Sequence, residues 1–182
     1  QETDLQIMSD GFQWEQSNNY HNEVLLVLLD VIIDADKNNI AMPEKLKNKI
    51  EKMAEAALKT VKPNCHNPLF GDSDDTDMRD IMSRCALVFG RSDFKYYGFD
   101  RLDFNTVWQT GYKSIEKYNN IGKIPPSFNN AFLSDSGNYI LRENQTNASN
   151  YLLFHNGYTG AGHAHADKLH FDLMIKGRDV LV

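Results

Sequence analysis

The chain is 182 residues long, enough for one full domain or pieces of two, and carries a formal net charge of −6 with no basic cluster. That balance argues against a nucleic-acid module, although a local cationic cleft facing an anionic ligand can coexist with an acidic surface. The longest apolar run, residues 24–33, is broken by Asp30 and is too short to span a bilayer, so no membrane span is expected.

In chain order, residues 10–21 crowd aromatic, acidic and amide groups just before a helix expected over residues 22–36, which Asn38-Asn39 stops. Pro43 opens a second helix, because its missing N–H has no partner in a first turn anyway. Leu46, Ile50, Met53, Ala54, Ala57 and Leu58 recur at helical spacing through Val61, and Pro63 ends the run. Residues 64–75 form a loop rich in Asn, Pro, Gly and Asp. A third helix is expected over 76–89, with Met78, Ile81, Met82, Cys85, Ala86, Val88 and Phe89 as its core stripe and Asp74 or Asp75 as its cap. A short helical piece follows over 102–117.

Pro125-Pro126 marks a change of register. Short β-rich segments follow at 127–133, 139–143, 151–155, 169–176 and 179–182, punctuated by Gly137, Gly157 and Gly177. Helices first and strands after give an α+β chain in two layers, not a βαβ unit. The chain starts at Gln1 and ends in what reads as mid-strand, so it is expected to be an internal fragment of a longer protein. Cys65 and Cys85 are compatible with a bridge or with two buried thiols, and no Cys-x-x-Cys pattern offers a thiolate zinc site. Asn144 and Asn147 open glycosylation sequons, meaningful only in a eukaryotic secretory pathway.

The segment with most chemical content is Gly162-His163-Ala164-His165-Ala166-Asp167. If extended, it places His163, His165 and Asp167 on one face, where two imidazoles and a carboxylate can bind a metal, move a proton, or do both. The plainer alternative is a strand with solvated polar residues. Near the other end stands Glu15-Gln16-Ser17-Asn18-Asn19-Tyr20-His21. The clustered carboxylates of residues 71–75 lack the ordered spacing and terminal Glu of a calcium-binding EF-hand, so helix capping and loop hydrogen bonding are expected there.

Together the two motifs resemble the heparinase II/III superfamily of polysaccharide lyases, which carries Glu-x-Ser-x-x-Tyr-His at the start of a toroid helix and Gly-His-x-His-Ala-Asp in a β-sandwich. The resemblance covers nearly the whole chain, with both motifs in the family's order. It implies the C-terminal part of an incomplete α/α toroid over residues 1–125, carrying Tyr20. The first strands of an antiparallel β-sandwich over 126–182 would then carry His163 and His165.

The implied activity is β-elimination on a uronic-acid-containing polysaccharide, a heparan sulfate- or heparin-like glycosaminoglycan first and alginate next. Such a reaction must neutralise the uronate carboxylate, remove the C5 proton and protonate the departing O4. By the resemblance Tyr20 and His163 are the acid–base pair, with the division of roles left open. His165 matches a position that binds zinc, the remaining ligands lying outside this chain. Asp167 is expected to support an imidazole by accepting its other N–H. Glu15 and Ser17 are expected to fix Tyr20 and its loop. His21 is read as a core or supporting histidine, because adjacent helical residues do not share a face. Trp14 and Tyr158 are candidates for contact with the sugar; Arg142 could pair with a carboxylate there but is not expected to be catalytic. The asparagine with which the family neutralises the uronate precedes the tyrosine motif and has no counterpart here. The resemblance further implies a periplasmic or secreted protein; oligomeric state is left open.

Two rivals compete. His-x-His-x-Asp also resembles the ligand run of metallo-β-lactamase-type hydrolases, but Lys168 stands where that run has a further histidine, and the preceding chain is helical. The second rival is a non-catalytic carbohydrate-binding module on the same fold, since fold alone does not fix function.

Overall fold

The computed structural model describes residues 2–160 and 162–182. Among the described residues seven helices come first: α1 (Glu2–Gln6), α2 (Asn18–Lys37), α3 (Glu44–Thr60), α4 (Arg79–Phe89), α5 (Ser92–Tyr96), α6 (Phe104–Thr110) and α7 (Lys113–Asn119). Five strands follow: β1 (Ala131–Leu133), β2 (Asn138–Arg142), β3 (Tyr151–His155), β4 (His170–Ile175) and β5 (Arg178–Leu181). The strands form one antiparallel sheet in the order β1-β2-β3-β4-β5.

The helical core is built where apolar periodicity is strongest. α2 contributes Leu25, Leu29 and Ile32, α3 contributes Ile50, Met53, Ala54 and Ala57, and α4 contributes Ile81, Met82, Cys85 and Ala86. The alanines of α3 let backbones approach closely. Pro43 sits as the N-cap of α3 in extended backbone, one residue ahead of the first turn. α4 begins three residues later than the start expected at residue 76. The backbone N–H of Met78 bonds the carbonyl of Cys65 and His66 bridges Asp77, which holds that stretch extended. Asp75 meets the His66 ring at 2.7 Å instead of capping a helix. The single piece expected over 102–117 is two helices, α6 and α7, separated at Gly111, whose φ of +83° breaks the run. Cys65 and Cys85 are free thiols, and burial pushes both up from the usual thiol value, Cys85 the further.

The sheet alternates with period two. Its inner row, with Ile140, Tyr151, Leu153 and Met174, packs on Phe12, Ala56 and Phe70 from the helical side. Two basic side chains tie the layers together. Arg142 is buried and donates to the carbonyl of Val61 at 2.5 Å and to the Tyr97 hydroxyl, so its role is structural. Lys62, also buried, donates to Asp179 at 2.8 Å and lies 3.9 Å from buried Asp172.

The outer row is apolar as well. Phe132, Tyr139, Phe154 and Phe171 are consecutive cross-strand partners, and Leu141, Leu152 and Leu173 follow in a parallel row. Among the described residues no helix is long and apolar enough to cross a membrane.

Candidate active site

Three loops meet at the N-terminus of α2: residues 13–17 leading into it, residues 71–75, and residues 157–160 with 162–169. Ser17, buried, is the N-cap by position, but its hydroxyl does not cap the helix. It donates instead to the carbonyl of Asp72 at 2.9 Å. The capping task passes to Ser73, whose hydroxyl accepts from the N–H groups of Asn18 (3.0 Å) and Asn19 (3.2 Å). The loop that read as a helix cap does cap a helix, but α2 and not α4.

Gly71 stands where the three loops converge. Its φ is +62°, and a Cβ there would lie 2.8 Å from the carbonyl oxygen of Gln16 and 2.9 Å from that of His163. Both conditions require glycine. Gly71→Ala is expected to lower stability by at least about 2 kcal/mol, from left-handed strain plus displaced backbone. Urea unfolding checks this, and an unchanged midpoint would refute the packing described.

Convergence brings the two sequence motifs together. The rings of Tyr20 and His163 stack in parallel, with centroids 3.3 Å apart and planes inclined by 7°. Nothing fits between the two faces, so a substrate must meet the ring edges, where the hydroxyl and the imidazole nitrogens lie. Nδ1 of His163 lies 3.2 Å from Oδ2 of Asp72, and its Nε2 lies 3.7 Å from Glu15. Nε2 of His165 reaches Oδ1 of the same Asp72 at 2.5 Å. Hydrogen bonds from His163 and then His165 hold the Asp72 carboxyl below the usual carboxylate range. Asp72 was not singled out in the sequence, where it is one of several loop carboxylates.

The histidine motif is not a strand. Residues 162–169 form a bent loop, with Gly162 at φ +73° and Leu169 at φ +68°, and β4 starts only at His170. The one-face arrangement of His163, His165 and Asp167 is therefore replaced by a wrap. The two histidines turn to Asp72, while Asp167 accepts the backbone N–H of Gly71 at 2.9 Å. Asp167 thus anchors the loop and does not orient either motif imidazole; the ring near it is that of His155, 3.9 Å away. Glu15 lies beside His163, its carboxylate 3.7 Å from Nε2. Tyr158 donates its hydroxyl to the carbonyl of Trp14 at 3.2 Å, which sets both sugar-contact candidates beside the same loop.

His21 turns away from His163 and into the core. It is fully buried, stacks on Phe12 at 4.6 Å, accepts the N–H of Gln13 on Nδ1 and donates Nε2–H to the carbonyl of Met53. Burial lowers its pKa to about 4. The neutral ring thus contributes stability that is complete above the unfolded pKa of 6.5 and is lost as pH falls from there towards 4, about 3 kcal/mol in all. Burial also lowers the pKa of His155, which acts in the same sense. Unfolding free energy is expected to drop between pH 6.5 and 4, less steeply in His21→Asn. An equal slope in that variant would show that His21 is not the group being protonated.

Among the described residues no group of three or more His, Cys, Asp or Glu side chains is arranged to hold a metal ion. With Nε2 of His165 given to Asp72, only its Nδ1 stays open to one. The described residues do not make a zinc site by themselves.

Comparison with known proteins agrees along the chain. The family model described as heparinase II/III N-terminus matches residues 1–96, and that described as heparinase II/III-like, C-terminal, matches residues 125–182. A heparin-sulfate lyase of Pedobacter heparinus is 27% identical over 180 residues, which cover 96% of this chain and 24% of that protein. The crystal structure of a heparan sulfate lyase mutant from the same organism superposes with a TM-score of 0.81 at 27% identity, over 98% of this chain and 26% of that one. A heparinase III structure shares the fold, with a TM-score of 0.77 at 21% identity over 98% of this chain and 28% of that one. The chain therefore spans about a quarter of the length of these relatives.

Proposed function

The chain belongs to the heparinase II/III family of polysaccharide lyases, and from that premise we propose that it supplies the acid–base pair of a lyase acting on a uronic-acid-containing polysaccharide. The observation that carries this reading is the contact between Tyr20 and His163, two residues from opposite ends of the chain whose rings stack face to face. Their polar edges serve the two proton transfers that β-elimination requires. One group takes the C5 proton, the electron pair forms the C4–C5 double bond, and the other protonates O4 as the glycosidic bond breaks. Unperturbed, a phenol with pKa about 10 is a ready donor and an imidazole near neutrality serves either role.

Heparan sulfate is the first candidate substrate, because the relatives at 27% identity are named for it. Alginate is the second. Trp14 and Tyr158 are the candidates for contact with the sugar. Action on so large a polymer places the protein in the periplasm or outside the cell. Zinc at His165 is carried only as an expectation for a whole protein, since further ligands would have to come from outside the described residues.

The finer architecture follows the same reading. The helices over 1–125 are a piece of an incomplete α/α toroid, and 126–182 begin a β-sandwich. The apolar outer row of the sheet supports the sandwich: a sheet apolar on both faces calls for a second layer on the side the helices leave open.

A metal-dependent hydrolase would need His163, His165 and Asp167 on one ion, and the bond from Gly71 to Asp167 favours a different arrangement. The test is a substrate panel with the full-length protein, following ultraviolet absorbance of 4,5-unsaturated uronate on heparan sulfate, chondroitin sulfate and alginate. Growth on one polymer supports the lyase and names its class. No growth on any of them refutes it and leaves the binding module standing.

A further inference from the structure

Asp72 touches both halves of the site. Its carbonyl accepts from Ser17, three residues ahead of Tyr20, and its N–H donates to the carbonyl of His163 at 2.9 Å. Its carboxylate spans the two imidazoles, one oxygen to Nδ1 of His163 and the other to Nε2 of His165. His163 is thus held at two points by one residue, through main chain and side chain. An ionised carboxylate only accepts, so Nδ1 of His163 must carry the proton in that bond. Glu15 stands 3.7 Å from Nε2, beyond hydrogen-bond range, and leaves that nitrogen for a substrate.

We propose that Asp72 is a positioning residue that fixes His163 in the Nδ1–H tautomer, so that Nε2 is the atom that exchanges a proton with the sugar. The inference rests on the reading of His163 as one of the acid–base pair. The logic is that of a carboxylate that orients a catalytic imidazole without itself exchanging a proton with the substrate. Asparagine at this position can present its NH₂ to Nδ1 and so favour the opposite tautomer. The main-chain contacts of residue 72 do not depend on its side chain, which lets the tautomer change without loss of the loop.

The test has two arms, both on the full-length protein. Nitrogen-15 spectra of the histidine rings, with His163 assigned from the His163→Gln spectrum, are expected to show Nδ1 protonated and Nε2 bare in the neutral ring. In Asp72→Asn a substantial Nε2–H population is expected, with kcat for unsaturated-uronate formation lower by about 10²-fold or more and KM within about twofold. Asp72→Glu, which keeps the carboxylate, is expected to recover at least about tenfold of that loss. A wild-type ring protonated on Nε2, or Asp72→Asn with near-normal kcat, overturns the proposal. If the wild type forms no unsaturated uronate on any polymer, the lyase reading fails, while the spectra still decide the tautomer. If Asp72→Asn does not fold, the wild-type spectrum and Asp72→Glu decide it.

Discussion

Tyr20→Phe and His163→Ala are each expected to lower kcat for elimination by about 10²–10⁴-fold, with KM little changed. The geometry gives the reason. The two rings are pressed face to face, so each meets the sugar only through an edge atom that handles a proton. Removing the Tyr20 hydroxyl leaves the ring, its stack and the cleft wall in place. Loss of rate with retained binding is therefore the signature of a transition-state role and not of a collapsed site. Because both transfers belong to one elimination, the double variant is expected to be scarcely slower than the worse single variant. Steady-state kinetics on the responsive polymer checks this, and losses that multiply in full would mean that the residues act separately.

The second large effect concerns stability. Lys62→Met is expected to destabilise the protein by about 3–5 kcal/mol, because it leaves the Asp172 carboxylate buried without its cation. The Lys62 ammonium lies between Asp179 at 2.8 Å and Asp172 at 3.9 Å, on the seam joining helices to sheet. Burial raises the pKa of Asp172, while Lys62 and the Leu69 N–H oppose that rise. The loss should accordingly shrink as pH falls and the orphaned carboxyl takes up a proton. Adding Asp172→Asn to Lys62→Met should restore a large part of it. Urea unfolding of the two variants decides the matter; an equal loss in both would place the cost elsewhere.

What the sequence revealed follows what is local. α3 was legible because Pro43, a run of apolar residues at helical spacing and Pro63 all act within a few positions. Strand β3 was legible for the same reason, its five residues alternating between two faces. The motifs themselves were legible as chemistry. Their geometry was not, because it depends on a loop distant in sequence. The bend of residues 162–169 exists because His163 and His165 turn to Asp72 and Asp167 turns to the Gly71 N–H, and nothing near those residues announces these partners. Asp72 was one carboxylate among several, and only the tight approach demanded at Gly71 marks its loop as special. Lys62 stands between Val61 and Pro63, and its carboxylate partners Asp172 and Asp179 lie more than a hundred residues away. Its burial comes from the sheet that closes over it.

Elimination at the stacked pair of Tyr20 and His163 has a chemical signature of its own in the products. Mass spectrometry of oligosaccharides released from heparan sulfate by the full-length protein tests it most directly. Products whose new non-reducing ends are lighter by one water than those of hydrolysis, formed by the wild type and not by His163→Ala, are the predicted result. Fully hydrated ends, or unsaturated ends formed equally by the variant, would contradict it.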